Sequence, residues 1–366
     1  MIYAEEILTI LKKNGVNFFS GVPDSVLKNF SKALPKNKDH IIAANEGNAV
    51  SLAIGYHLAT KKIGCVYLQN SGLSNAINPI ISIADKQVYS IPLVLIIGWR
   101  GSPQKPDEPQ HQTKGKITLQ LLKLLKIEYC IIRNKKDLTK FKKLISSSKK
   151  NSNIVAALIE KGNLKSKTKK AIKINKNKLF RFEFIKKLLK ILPQKTKIIS
   201  TTGYTSRELM QLSKNGKNYE GRDFYMVGGM GHSASVAAGY SLKSKKDTIC
   251  LDGDGSILMH LGSMRTIGHL SKKNFKHIIL NNNSHESVGG QPTYSEGINF
   301  KNLSKSLGYK NFFEIKNKDM TKIIKKFLTT KGPSLLEVKI QNGSLENLSR
   351  PKNLINIKRK FMNLKP

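Results

Sequence analysis

The apolar residues of this chain fall in short unbroken runs, each separated from the next by a helix-period segment. Between residues 16 and 160, VNFF leads into GVPDSVLKNF, HIIAA into NEGNAVSLAIGYHLA and GCVYLQ into NSGLSNAINPIISIAD, and IPLVLIIG, IEYCIIR and NIVAALIE follow. A strand with one wet face alternates apolar and polar residues, whereas an unbroken run requires both faces to be covered. Helices between successive strands supply that cover, so the pattern predicts a parallel sheet with helices on both sides. Residues 1–162 read as one such α/β domain. The alternation restarts with the helical FRFEFIKKLLKIL and continues through KIIS, DFYMV, DTICL, KHIIL and PSLLEVKI, which predicts a second α/β domain over 179–366 with a basic tail from Gln341. Between them, KGNLKSKTKKAIKINKNK carries eight lysines and few large apolar side chains, so residues 163–178 are expected to be a connector. A length of 366 residues agrees with two domains.

The formal net charge is +40, from 64 Lys and Arg against 24 Asp and Glu. Clustered cations of this number would indicate nucleic acid or an anionic membrane, but here the lysines are spread over nearly every helix and loop. No helix carries a basic stripe interleaved with stacking aromatics. A solvated basic surface that attracts small anions is expected, with neither nucleic acid nor membrane as partner. No apolar run reaches the length of a membrane span. The N-terminal MIYAEEILTILKKNG has acids where a targeting segment is basic, and Ile7, Leu8, Ile10 and Leu11 at helical spacing up to Gly15; it is expected to be a first helix. Cys65, Cys130 and Cys250 are far apart and lie in or beside apolar runs, which predicts buried, reduced thiols in a cytoplasmic protein.

Two glycine turns invite phosphate or metal readings. In DGDGS, Asp252, Asp254 and Ser256 have the spacing of the first ligands of an EF-hand, but the sixth and twelfth positions are Ile257 and Ser263, so that reading fails. GMGHSA matches a dinucleotide fingerprint, yet the acid expected about 20 residues later falls inside the DGDG turn itself. No GxxxxGK[ST] occurs, which excludes a P-loop. Either DGDG or the asparagines after KHIIL is explained alone as an ordinary turn. Together they end two strands of one parallel sheet, where ligands collect, and they offer a carboxylate, a carboxamide and glycine N–H groups for a cation and a diphosphate.

GDGS with 25 residues between its second glycine and NN resembles the signature of thiamine-diphosphate enzymes, and NEGNAVSLAIGYHLAT resembles their segment bearing the cofactor-activating glutamate. GVPDS, YLQNSGLSNAINP, IGWRG, DEPQH, STTGYTSREL and LNNNSHESVGGQPT resemble, more narrowly, the 2-oxo acid decarboxylases that act on phosphonopyruvate or, as the near alternative, sulfopyruvate or another short 2-oxo acid. The resemblance implies a pyrimidine-binding domain followed by a diphosphate-binding domain, with no middle domain. It implies thiamine diphosphate and Mg2+ or another divalent cation as cofactors, a small anionic 2-oxo acid as substrate, and a homodimer or higher homo-oligomer with sites between chains. A non-catalytic polyanion-binding protein is the alternative of a different class.

Residue by residue, the resemblance makes Glu46 the acid facing the cofactor pyrimidine. Asp254, Asn282 and the Ser284 carbonyl are the implied metal ligands. Gly255 and Ser256 contact the diphosphate, as does Gly203. Gly228 accepts the cofactor amino group through its carbonyl, and Met230 supports the bent cofactor. Asp24, His111 and His285 are candidate catalytic groups, and Ser25, Arg100 and Arg207 are candidates to bind the substrate anion.

Overall fold

The computed structural model describes residues 2–166, 179–214, 221–270, 273–316 and 319–364. The chain forms two compact units, Met1–Ala171 with His285–Gln291, and Ile172–Ser284 with Pro292–Pro366. In the first unit, β1 (Ile2–Tyr3) pairs with β8 (Leu164–Lys165). The main sheet holds β2 (Phe18–Gly21), β3 (His40–Ile42), β4 (Gly64–Gln69), β5 (Leu93–Trp99), β6 (Glu128–Ile132) and β7 (Ile154–Glu160), all parallel, in the order β3-β2-β4-β5-β7-β6. In the second, β9 (Lys197–Ser200), β10 (Asp223–Tyr225), β11 (Thr248–Gly253), β12 (Phe275–Asn281), β13 (Asn311–Ile315) and β14 (Ser334–Lys339) are likewise all parallel, in the order β10-β9-β11-β12-β14-β13. Counted from the first strand of each sheet, both orders read 2-1-3-4-6-5, so the two units share one topology.

The unbroken apolar runs have the predicted cause. Along β4, Cys65 and Tyr67 join the layer formed with Ile7, Phe30 and Phe141, while Val66 and Leu68 join the opposite layer with Ala49, Leu73 and Leu122. The second sheet is sandwiched in the same way, with Ile249 and Leu251 on one face and Cys250 on the other. The helix Glu46–Thr60 starts at Asn45, whose side chain accepts from the Asn48 N–H, and turns Ala49, Val50, Ala53 and Ile54 to the sheet. Small side chains let it approach closely: a Cβ on Gly64 would lie 2.9 Å from Ala53 Cβ.

Three details depart from the sequence expectations. The expected connector begins too early, because Leu164 and Lys165 pair with Ile2 and Tyr3, and Ser166 donates to Glu5; residues 167–178 lie outside the described residues. The strand β13 was not foreseen, since NFFEI is an edge strand, half-exposed through Glu314 and interrupted by polar residues at both ends of its aromatic pair. His285–Gln291 belong to the first unit and not to the second; there Gln291 Nε2 donates to Ser31 Oγ at 2.5 Å. The basic tail contains a helix, Leu354–Phe361, anchored by buried Phe361 against Phe224 and Tyr240 and by Lys197, whose Nζ donates to the Phe361 carbonyl at 2.6 Å. No helix among the described residues is long and apolar enough to cross a membrane.

All three cysteines are buried and free. Burial raises each thiol, Cys130 to about 12. None is expected to react with a water-soluble disulfide reagent in the native protein at pH 8, and all three should react in denaturant. Rapid labelling of any of them in the folded protein would contradict this packing.

Candidate active site

In both sheets most of the sequence-predicted residues stand at or just beyond the carboxyl ends of strands, and their networks cluster about the ends of the first, third and fourth strands. In the first unit, the segment after β2 carries Asp24 and Ser25, the turn after β4 carries Asn70, and β5 runs directly into Arg100. Glu46 opens its helix, 6% exposed, and its Oε2 accepts from Asn75 Nδ2 at 2.9 Å. Its carboxyl is seated against Gly72: a Cβ there would stand 2.0 Å from Glu46 Oε1. Only glycine leaves that space, so Gly72 is part of how Glu46 is aimed.

Asp24 is 2% exposed, and its Oδ2 accepts the N–H groups of Val26 and Leu27 at 3.0 and 3.1 Å. A Cβ on Gly98 would meet the same oxygen at 2.1 Å. Burial lifts its carboxyl from 3.8 to about 6, against the lowering effect of the Leu27 and Val26 N–H groups and of Arg100. Arg100 is also buried. Its Nε and one terminal nitrogen grip Asp107 at 2.6 Å each, that nitrogen also reaches Glu108 at 3.2 Å, and the other donates to Ser25 Oγ at 3.0 Å. Burial opposes ionisation of Asp107, but Arg100 and the Glu108 and Gly101 N–H groups outweigh it and hold the carboxyl below the ordinary range. The guanidinium therefore organises the Gly101–Glu108 loop. One cation is thus set against two carboxylates. His111, buried on the helix Pro109–Leu124, lies 3.8 Å from Glu108 through Nε2. His285 also groups with this unit, and burial lowers its imidazole to about 4, leaving it neutral near pH 7.

In the second unit, Asp254 follows β11 and is 3% exposed. Its Oδ2 accepts from Thr293 Oγ1 at 2.5 Å and Ser295 Oγ at 2.9 Å, and Ser295 Oγ also contacts Asn281 Oδ1 and Asn283 Oδ1 at 3.0 and 2.6 Å. One serine thus ties the end of β11 to the end of β12. Burial raises Asp254, with the two hydroxyls opposing. Asn282 donates to Asn342 Oδ1 at 2.9 Å, and its own Oδ1 accepts the Ser284 N–H at 3.1 Å. Ser256 Oγ accepts from Thr201 Oγ1 at 3.0 Å and from the Gly231 N–H at 3.1 Å, joining the turns after β9, β10 and β11. Gly255 is buried in the same turn. Gly203 (φ +90°) lies in the turn after β9; Gly228 and Met230, both half-buried, lie after β10 beside Gly229 (φ +64°) and Gly231 (φ +86°). Arg207, on the helix Tyr204–Lys214, places its guanidinium 5.8 Å from the centre of the Tyr204 ring.

These residues fit a divalent cation and a diphosphate. The Asp254 carboxylate, the second lone pair of Asn282 Oδ1 and the Ser284 carbonyl are all hard oxygen donors. Ser284 Oγ is buried without a hydrogen-bond partner among the described residues, as expected beside a site that takes a polar ligand. Sequence reading did not single out Gly72, Asn75, Asp107, Glu108, Thr293 or Ser295, although each lies in or beside a motif it quoted.

Replacement of Gly72 by Ala should push the Glu46 carboxyl aside, lowering kcat/KM by about 100-fold or more, near 3 kcal/mol, with a small change in Tm; wild-type turnover would show that the contact is not needed. Asp24 gives a pH signature. Because its folded value lies above 3.8, its contribution to stability is full below about pH 4 and is lost as pH rises through about 6. The displacement from 3.8 to about 6 corresponds to about 3 kcal/mol at most. Asp24→Asn should therefore gain on wild type between pH 4 and 7 in urea unfolding. A stability difference that stays constant with pH would sink this assignment.

Comparison with known proteins agrees with this geometry. The N-terminal TPP binding domain of thiamine pyrophosphate enzymes matches residues 1–122, and their C-terminal TPP binding domain matches residues 201–338, with no third domain between them. Phosphonopyruvate decarboxylase of Streptomyces viridochromogenes is 33% identical over 373 positions, which cover 96% of this chain and 92% of that protein. Sulfopyruvate decarboxylase of Methanosarcina acetivorans is 25% identical over 358 positions, covering 93% and 92%. The beta subunit of sulfopyruvate decarboxylase of Methanococcus maripaludis is 32% identical over 189 positions, covering 50% of this chain and 97% of that subunit. With both cofactor domains matched and a relative at one-third identity along nearly its whole length, the chain belongs to the thiamine pyrophosphate enzymes, in the branch of the phosphonopyruvate and sulfopyruvate decarboxylases.

Proposed function

We propose that this protein decarboxylates 3-phosphonopyruvate to phosphonoacetaldehyde and CO2, using thiamine diphosphate and a divalent cation such as Mg2+. The observation that carries the reading is the 33% identity to a phosphonopyruvate decarboxylase over 96% of the chain. Sulfopyruvate is the second reading, favoured by the similarity to a single-chain sulfopyruvate decarboxylase over 93% of the chain. The two substrates share the 2-oxo acid that reacts and differ in the anion at C3.

When bound, thiamine diphosphate supplies a nucleophilic carbon and an electron sink for the bond that releases CO2. The protein supplies binding, aim and proton transfer. Asp254, Asn282 and the Ser284 carbonyl would hold the cation, and Gly203, Gly255 and Ser256 would receive the diphosphate. The Gly228 carbonyl and Met230 would support the pyrimidine end, and the Glu46 carboxyl, aimed by Asn75 and the space above Gly72, would hydrogen-bond its ring nitrogen. Asp24, which titrates near pH 6, and the neutral imidazole of His285, with His111, are the groups suited to proton transfer to the product carbon. Ser25, exposed and held by Arg100, and Arg207 are assigned to the substrate anion, with Arg100 acting through Ser25 and the Asp107 loop.

Glu46 and Asp254 belong to different units, and a beta subunit of sulfopyruvate decarboxylase matches half of this chain along nearly all of its own length. We infer a homo-oligomer that pairs the two kinds of domain between chains.

Glu46→Gln should retain thiamine diphosphate, because the amide keeps its shape and its hydrogen bond, yet lose at least about 100-fold in turnover, a barrier increase of about 3 kcal/mol. Turnover of phosphonopyruvate, sulfopyruvate and pyruvate, measured side by side, tests the substrate. Preference for sulfopyruvate selects the second reading, and equal turnover of pyruvate removes the role given to the C3 anion.

A further inference from the structure

The apolar layer beneath the Asp254 turn contains an ionisable group that neither the metal nor the diphosphate assignment uses. Asp252, 1% exposed, points from β11 into the layer built by Ala234, Ala237, Ile267, Phe275 and Ile279. An apolar residue would fill this position without the cost of desolvating a carboxylate, so the acid requires partners that make it worth keeping. Its Oδ1 accepts the N–H of Gly253, the residue before Asp254, at 2.9 Å. Its Oδ2 lies 3.4 Å from Nε2 of His277, which is fully buried on the neighbouring strand β12. The other ring nitrogen, Nδ1, is 2.9 Å from the hydroxyl of Tyr309, itself 4% exposed. In a neutral ring these contacts settle the roles: Tyr309 donates to Nδ1, and Nε2 donates to the carboxylate.

The chain of contacts continues upward. Ser256 Oγ already receives two hydrogen bonds, from Thr201 and from the Gly231 N–H. Burial disfavours the Asp252 carboxylate, while His277 and the Ser256 hydroxyl favour it. Asp252 therefore holds the first residue of the turn, Gly253, directly, while His277, itself held by Tyr309, fixes Asp252 from below.

We propose that His277 and Tyr309 are positioning residues that hold Asp252, and through it the Gly253–Ser256 turn, in the conformation that receives the cofactor diphosphate. The inference rests on the assignment of Asp254 and Ser256 to the cation and diphosphate. A purely structural role would change the stability of the second unit and leave cofactor affinity alone; a positioning role changes affinity at equal stability.

The test uses the full chain freed of cofactor, titrated calorimetrically with thiamine diphosphate in excess Mg2+, beside Tm and steady-state turnover. His277→Leu should raise the Kd for thiamine diphosphate about 10- to 100-fold, the usual consequence of losing a group that orients a ligand-binding residue, while kcat at saturating cofactor stays within about 3-fold. His277→Gln, whose amide reaches the place of Nε2, should recover most of that affinity. Tyr309→Phe, which removes one hydroxyl, should raise Kd by about 3- to 10-fold. Wild-type Kd in folded His277→Leu overturns the proposal, as does equal loss of affinity in the Leu and Gln variants. Should His277→Leu fail to fold, wild-type Kd in Tyr309→Phe overturns it. Asp254→Ala separates this inference from its premise: if that variant binds cofactor like wild type, the site assignment itself has failed. If it loses binding while the His277 and Tyr309 variants do not, only the relay has failed.

Discussion

Both sheets are parallel throughout, and that constraint decides where chemistry can be placed. A strand buried on both faces has no room for solvated polar groups along its length, so they collect where the strand ends and the chain turns into a helix. In the order 2-1-3-4-6-5 the first and third strands are neighbours whose following helices leave to opposite sides, and the crevice between them opens at their carboxyl ends. Asp24 and Asn70 occupy this place in the first unit; Thr201 and Asp254 occupy it in the second. The turns there are coupled sideways, by Asn70 receiving the Arg100 N–H and donating to its carbonyl, and by Ser256 receiving Thr201 and Gly231. The shared topology thus yields two rims of similar build carrying different groups: carboxylates and a guanidinium in one, hydroxyls and carboxamides about one aspartate in the other.

Most of this frame was legible in the sequence because it rests on short-range pattern. An unbroken run such as IPLVLIIG specifies a doubly covered strand, and NEG or DGDGS after such a run specifies a strand-end turn at the start of a helix. What could not be read are contacts between residues distant in sequence. Nothing near Glu46 announces that Asn75, 29 residues away, will hold its carboxyl or that Gly72 must lack a side chain. Thr293 and Ser295 reach Asp254 from 39 and 41 residues on. Arg100 looked available to an anion because its partners, Asp107 and Glu108, lie across a loop whose course no periodicity encodes. The edge strand β13 escaped because an edge needs only one neighbour and tolerates polar residues, so its run is neither unbroken nor cleanly alternating. The course of His285–Gln291 was hidden for a related reason: three of its residues are Gly or Gln, and its contacts with the first unit are long-range, as in the hydrogen bond from Gln291 to Ser31.

The treatment of charge carries the synthesis one step further. The chain has 64 basic residues, yet the carboxylates at the heart of both rims are held mainly by neutral donors: Glu46 by an amide, Asp254 by two hydroxyls, and Asp24 by two backbone N–H groups with Arg100 acting at longer range. Where a guanidinium does bind a carboxylate closely, at Arg100 and Asp107, the carboxyl is locked in its ionised form and serves to organise a loop. A lysine placed against Asp254 would lower its pKa in the same way and would also neutralise the charge that a divalent cation needs. Neutral donors orient the Asp254 carboxyl without consuming its charge, at the cost of burial that disfavours its ionised form. A bound cation would offset that cost. The basic excess therefore lies mainly on the surface, where it attracts anions, and is kept from these carboxylates.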